Sequence, residues 1–514
     1  LSTVGQKRPE TACNPPDDTA FNRPDSEFQT IRPWHHAPDS LLNVVCAIHC
    51  HDIIQTSGGL RGVTYEENGI IMSPTTTPAA ARPLNSQDYR TLGLSALGGA
   101  LEFYDFIIFV FFATVIGHLF FPADMSDSVI MIQTFGIFAA GYLIRPIGGI
   151  VLAHFGDRYG RKRVFAFSIL LMALSTLGMA LMPTYASIGI AAPIMLVILR
   201  MLQGAAIGGE VPGAWTFVSE HVPFRRVGLA CGFLTSGLSL GIMLGSLIAT
   251  AINSIFTPEE VAAYAWRIPF FIGGIFGLVA VYLRRWLEET PIFNEMKKSK
   301  SLSRDLPLGT VLKNHRRGVI ISALLTWVLS AAIVVTTLMT ATFLQKLYGY
   351  SALESLAATS FGTLFLIIGV ILAGALVDKI GSGRFFMGAS VFFGIATFTF
   401  YSFAGISLTA LFGLYAVMGF SVGIVGAVPY VMVRAFPASV RFSGMSFAYN
   451  VSYAIFGGLT PVAVTTALAY TPMAHAWYLV FIAVLAFAIG VYLHLRGDEV
   501  ESHVGIEELE TLRA

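Results

Sequence analysis

The stretch AHFGDRYGRKRV, residues 153–164, crowds five charged side chains, Asp157, Arg158, Arg161, Lys162 and Arg163, into seven positions of a chain that is only 12% charged. The run that follows it, VFAFSILLMALSTLGMALM from Val164 to Met182, carries no charge for 19 residues. At 1.5 Å per residue a helix of that length covers about 28 Å, close to the ~30 Å hydrocarbon layer of a bilayer. A charged turn between such runs reads as the connection between two membrane spans.

The rest of the chain agrees. Of its 514 residues 55% are hydrophobic, 40 of them Phe, and the mean hydropathy is +0.69, more apolar surface than a water-soluble core absorbs. The same search finds twelve spans, at 92–117, 130–155, 164–182, 190–219, 228–254, 268–287, 318–343, 357–377, 385–404, 407–433, 443–469 and 476–495. They are continuously apolar rather than alternating, which predicts helices and not a barrel. The fold class expected is an all-α membrane protein.

Lys and Arg give the orientation. The even-numbered connections carry Arg158, Arg161, Lys162, Arg163, Arg225, Arg226, Lys379, Arg384, Arg434, Arg441 and nine basic residues between Arg284 and Arg317; the odd-numbered ones carry only Arg267 and Lys346. Basic connections stay inside, so both termini are expected in the cytoplasm and the protein in the cytoplasmic (inner) membrane.

Residues 1–91 form a polar lead without a span. Residues 1–71 contain no Met, and Met72 opens a short polar approach to the first span, so 1–71 read as an upstream extension of the reading frame. A disordered tail is the alternative. The cluster CAIHCHD, with Cys46, His49, Cys50 and His51, matches no structural zinc spacing, and no metal site is expected.

The charged turn recurs. GDRYGRKRV at 156–164 aligns with VDKIGSGRF at 377–385, matching Asp157 with Asp378, Gly160 with Gly381 and Arg163 with Arg384. QGAAIGG at 203–209 resembles MGFSVGI at 418–424. The offsets predict two parallel halves of six spans, 92–287 and 318–495, joined by a cytoplasmic linker at 288–317 and followed by a short tail at 496–514. Such halves suit a molecule that rocks around a central site.

Six stretches, GGALEFYDF (98–106), the charged turn itself, RMLQGAAIGGE (200–210), AWRIPF (265–270), LRRWLEETPIF (283–293) and VRFSGMSFAYN (440–450), resemble the metabolite:proton symporters of the major facilitator superfamily. That family includes shikimate, α-ketoglutarate, citrate and proline/betaine carriers. One position departs from it: Ala153 stands where the superfamily usually has Gly, although the second copy keeps Gly374. The resemblance implies a twelve-helix major facilitator fold and a cytoplasmic gate made of Asp157, Arg158, Gly160, Arg161, Lys162 and Arg163, with Glu220, Asp378, Arg384 and Arg441.

Ionisable residues inside the spans are scarce and expensive there. Glu102 and Asp105 lie three positions apart, on one helical face. Burial raises a carboxyl's proton affinity and a nearby Arg lowers it, which makes this pair the candidate proton carrier. The RxxQG element, Arg200 to Gly204 with Gln203, resembles the superfamily's proton-coupling motif, and Glu210 follows on the same helix. A permanent ion pair between Arg200 and a carboxylate is the structural alternative. Tyr104, Arg145, Arg200, Tyr449 and Asn450 are the candidate substrate ligands.

The expected function is proton-coupled symport of a small organic acid, with an osmolyte carrier for proline or betaine as the alternative. Osmosensing relatives carry a long C-terminal coiled coil, and Gly497 to Ala514 is short for one. Gly237, Gly241 and Gly245 form a small-residue stripe that lets helices approach. Antiporters of the superfamily it resembles usually add a Pro to such a run, and its absence here makes the resemblance lean towards symport. A transport-dead nutrient sensor is a further alternative. The motifs of metalloproteases, serine hydrolases and P-loop enzymes are missing, so an enzyme is not expected. Neither a cofactor nor a nucleic-acid partner is expected, and the carrier is expected to work as a monomer.

Overall fold

The computed structural model describes residues 84–159, 161–283, 307–468, 470–497 and 500, without the side chains of 127, 128, 131, 153–166, 307, 308 and 310. The expectations for residues 1–71, for CAIHCHD, for Gly160 and the side chains of Asp157, Arg158, Arg161, Lys162 and Arg163, and for most of the linker and tail lie outside these. All described residues belong to one compact unit, and helix is their only regular structure.

Ten helices are long and apolar enough to span a bilayer: α1 Ser86–Phe111, α2 Ile132–Leu152, α4 Ala191–His221, α5 Phe224–Ile255, α7 Arg316–Leu347, α8 Ala352–Ile380, α9 Ser382–Phe403, α10 Leu408–Arg434, α11 Arg441–Leu468 and α12 Ala474–Arg496. A bent pair, Pro258–Ala265 and Arg267–Leu283, supplies α6. A shorter apolar helix, α3, runs over Arg161–Leu181, with Phe167–Leu181 as its described apolar part. Among the described residues the twelve spans expected from sequence are therefore visible in part, as ten, or eleven with the bent pair. Large apolar side chains such as Ile255, Ile406 and Leu495 are 70–74% exposed, a surface suited to lipid and not to water.

Local chemistry sets the ends. Asn85 caps α1 by accepting from the Asp88 amide while Asp88 accepts from the Asn85 amide, both at 2.9 Å, and Ser351 and Glu354 repeat this reciprocal cap at α8. Four spans change geometry part-way. α4 turns at Gly208–Gly209, and α10 tightens into a 3₁₀ turn at Gly423–Ala427. These are the two places where the glycine-rich repeat falls. α7 and α11 each widen into a π turn, at Val334–Met339 and Tyr453–Gly457. Interruptions of this kind are tolerated at membrane depth where they face protein or a cavity.

The glycine stripe of α5 packs on α1. A side chain at Gly237 would meet the Ala96 backbone, one at Gly241 the Ala100 carbonyl, and one at Gly245 the Phe111 ring at 3.2 Å. The other face of α5 lies along α8 of the second half, where Gly228 and Gly374 meet backbone to backbone. Hence α5 is glycine-lined on both sides because it is clamped on both sides.

Gly237→Leu is expected to lower the melting midpoint in detergent, in line with about 1–3 kcal/mol of overpacking. Gly136→Leu, which meets nothing within 4 Å, should leave it unchanged. Differential scanning fluorimetry on both variants checks this.

Candidate functional site

Arg145 sits where α2 bends. Its side chain is 1% exposed, and none of its three nitrogens has a hydrogen-bond partner. Aromatic rings take their place: the guanidinium carbon lies 5.0 Å from the Phe106 centroid, 4.7 Å from Tyr142 and 4.9 Å from Tyr453. Phe106 comes from α1, Tyr142 from α2 and Tyr453 from the π turn of α11, so the cage joins both halves. Tyr142 and Tyr453 stack at 5.3 Å, and Tyr449, one turn before Tyr453, packs on it at 4.9 Å. A desolvated guanidinium over an aromatic face is held by about 2 kcal/mol or more.

Arg200 is equally buried and equally without a carboxylate. Its Nη1 donates to the Phe106 carbonyl at 3.1 Å and to Gln203 Oε1 at 2.8 Å, while Nε and Nη2 have no partner. Phe106, Phe109 and Phe138 surround it at 4.5, 4.5 and 5.4 Å. Gln203 passes the contact on by donating to Thr176 Oγ1 at 2.7 Å. The permanent Arg200–carboxylate pair offered as an alternative by the sequence is thus not formed in this conformation.

Asp105 faces away from both arginines, towards α3 and α6. It is fully buried, and neither oxygen has a hydrogen-bond partner. Gly273 and Gly277 of α6 make the room: a side chain at Gly273 would strike Asp105 Oδ1, and one at Gly277 would lie 3.2 Å from Oδ2. Glu102 is near enough to act on Asp105 electrostatically. Glu210 lies on α4 and accepts from Ser168 of α3 at 2.6 Å.

The candidate substrate ligands divide. Arg145 and Tyr449 meet in the cage. Tyr104 belongs to the α6 contact instead, donating to the Pro269 carbonyl at 2.9 Å and meeting Phe276 edge to face. Asn450 fastens α11 to α4 by donating to the Gly208 carbonyl, at the break of α4.

AWRIPF, to which sequence alone gives no chemistry, now has a role. Arg267 Nη1 donates to Ala180 and Met182 carbonyls, each at 2.7 Å, and stacks on Trp266 at 4.4 Å. A cation there meets the negative end of α3. The same segment presents Pro269 to Tyr104, so it holds α6 against the Tyr104–Asp105 face of α1.

At the face carrying the basic connections the halves touch through charge. Asp378, at the end of α8, accepts from the Gly228 and Leu229 amides at the start of α5, both at 2.8 Å. A carboxylate at a helix N-terminus is favoured by the exposed amides. Glu220 of α4 lies 3.5 Å from Arg441 of α11, with both side chains at most 3% exposed. Arg441 Nε also donates to Val433 and Phe436 carbonyls at 3.0 and 3.3 Å. Arg434 covers Phe224 at 4.3 Å. Three of the expected gate residues, Glu220, Asp378 and Arg441, therefore bridge the halves; Arg384 is exposed in the first turn of α9.

Sequence reading missed Phe106, Tyr142, Tyr453, Thr176 and Arg267. Tyr142 stands three residues before Arg145, a spacing that puts ring and guanidinium on one helical face, and this was the available signal. Nothing in the sequence brings Tyr453 to the same place.

A bundle of membrane-length helices with ionic contacts across one face and a buried charged centre is the architecture of a multi-pass membrane transporter. Residues 95–461 match the family model described as Major Facilitator Superfamily. A putative proline/betaine transporter of Staphylococcus aureus is 31% identical over 417 residues, covering 79% of this chain and 88% of that protein. The proline/betaine transporter of Salmonella typhimurium is 32% identical over 425 residues, covering 78% and 82%. The proton:xylose symporter XylE superposes with a TM-score of 0.70 at 17% identity, covering 84% of this chain and 100% of XylE. The chain belongs to the major facilitator superfamily.

Removing one partner of a buried ion pair costs about 3–5 kcal/mol. Glu220→Gln is expected to loosen the basic face, lowering the disulfide yield between Thr216→Cys and Met445→Cys, positions that touch at 3.6 Å. An unchanged yield would show that the pair does not hold this face together.

Proposed function

We propose that the protein carries a small zwitterionic solute of the proline or betaine type across the cytoplasmic membrane together with a proton. The observation that carries this is the cage around Arg145: one guanidinium without a carboxylate, walled by aromatic faces from both halves. A guanidinium is shaped for bidentate recognition of a carboxylate. Aromatic faces receive the ammonium end of the same molecule. Arg200 is already held by Gln203 and the Phe106 carbonyl, so one cation is available, which suits one carboxylate. The proline/betaine transporters among the relatives support the same class.

The small organic acid read first from the sequence is the second reading. It is favoured by one fact, that Arg200 also lacks a carboxylate partner and keeps its charge at the centre. A dicarboxylate or tricarboxylate would need that second cation to leave Gln203.

The proton belongs to Asp105 on this reading. An anion buried without a hydrogen bond costs several kcal/mol, so closing the site around bound solute favours the protonated acid. Opening towards water restores the anion. Solute and proton then move together, and the Glu220–Arg441 and Asp378–α5 contacts alternately form and part.

Uptake of labelled proline or betaine into cells or vesicles is expected to collapse with a protonophore and to need no sodium. Arg145→Lys should weaken solute binding by about tenfold or more, 1.4 kcal/mol at least, because a point charge cannot replace the fork. Competition decides the class: proline and betaine should displace the label, whereas citrate, α-ketoglutarate and shikimate should not. The reverse order would return the organic acid.

A further inference from the structure

Two cations inside the bundle share one ring. The Phe106 centroid is 5.0 Å from the Arg145 guanidinium carbon and 4.5 Å from that of Arg200, and the ring is fully buried. The Phe106 carbonyl accepts from Arg200 as well, so ring and main chain of one residue hold the same guanidinium. The residue before it is Asp105. Successive helical positions point about 100° apart, which sends Asp105 towards α3 and α6 while Phe106 faces α2 and α4. A side route leads the same way: Arg200 donates to Gln203 and Gln203 to Thr176, whose methyl group and Asp105 Oδ1 both border the space left open at Gly273.

We infer that Phe106 is the positioning residue through which solute occupancy at Arg145 sets proton occupancy at Asp105; this rests on the roles proposed for those two residues above. The negative face of the ring draws both guanidinium groups to α1 and holds them at fixed places relative to Asp105. Both positive charges favour an Asp105 anion. A solute carboxylate arriving on Arg145 cancels one of them, so the protonated acid becomes the stable form and the two ligands load together. With the ring gone, Arg200 loses one of its holds beside Phe106 and is free to turn to the Asp105 carboxylate. A proton would then be excluded whether or not solute is present.

The groups around Asp105 leave this effect readable. Its own helix supplies Glu102 and Tyr104, α3 supplies Thr176 and Ala173, α6 supplies Gly273 and Gly277, and α4 reaches Thr176 through Gln203, which Arg200 holds. Phe106→Leu keeps an apolar side chain and removes the ring face, whereas Phe106→Tyr keeps the ring.

The test is equilibrium binding of proline and glycine betaine to the purified full chain from mildly acidic to mildly alkaline pH, with uptake and counterflow in proteoliposomes. Wild type and Phe106→Tyr should bind more tightly as pH falls. In Phe106→Leu that dependence should flatten, and gradient-driven accumulation should drop about tenfold or more relative to counterflow in the same variant. A Leu variant that keeps the wild-type pH slope, or a Tyr variant that loses it, overturns the inference. A wild type indifferent to pH overturns the proton role of Asp105 first, and this inference with it. Should neither solute bind, citrate replaces them as probe, and only the choice of solute has failed. If Phe106→Leu does not fold, Phe106→Met serves in its place.

Discussion

A guanidinium keeps its charge when it leaves water, and the centre of this protein is built around two that have done so without a carboxylate beside them. Bulk desolvation of such a group is among the largest unfavourable terms in a membrane interior. The molecule offsets it with aromatic faces and peptide carbonyls, which are fixed dipoles that do not neutralise the cation. Five rings, those of Phe106, Phe109, Phe138, Tyr142 and Tyr453, do this work around Arg145 and Arg200. The same constraint explains the glycines. Asp105 fits against α6 only because positions 273 and 277 carry no side chain, and α1 reaches α5 closely only through the stripe at 237, 241 and 245.

The seam between the halves obeys a different rule. It has to be firm enough to exclude water at one face and weak enough to part. Two backbone bonds to Asp378 and one long ion pair between Glu220 and Arg441 meet that need, because each partner can find water when the face opens. Buried pairs of this kind add little net stability compared with apolar packing, while loss of one partner is costly. They therefore favour one register of the two halves without welding them. The long contact of α5 with α8 runs beside these bonds, and its glycines bring the two backbones directly together.

Much of this was legible in the sequence, for identifiable reasons. Spans follow from length and apolar composition, and the repeat of Asp157 with Asp378 exposes the duplication. Glu102, Asp105, Arg145 and Arg200 stand out because charge is rare at membrane depth. What sequence hides is who meets whom across long separations. Tyr453 reaches Arg145 from the other half, Pro269 takes the Tyr104 hydroxyl across 165 positions, and Arg267 holds the end of α3. An aromatic residue in a chain with 40 Phe carries no flag of its own. Asn450, singled out with Tyr449 by position, turns one residue further round the helix and joins the helix contact instead of the cage.

The two sets of spans divide the chemistry between them. Where the first half places Asp105, Arg145 and Arg200, the second places neutral groups: at the π turn of α7 the Tyr415 hydroxyl donates to the Thr336 carbonyl, and just after it the Thr340 and Tyr401 hydroxyls pair, each at 2.7 Å. A hydroxyl network can be satisfied internally and stays neutral, so it forms a firm wall. The charged half cannot be satisfied internally, since its cations have no anion and its acid has no donor. On the reading proposed above, a solute carboxylate and a proton are what would relieve that imbalance, whereas the neutral network of the second half needs neither.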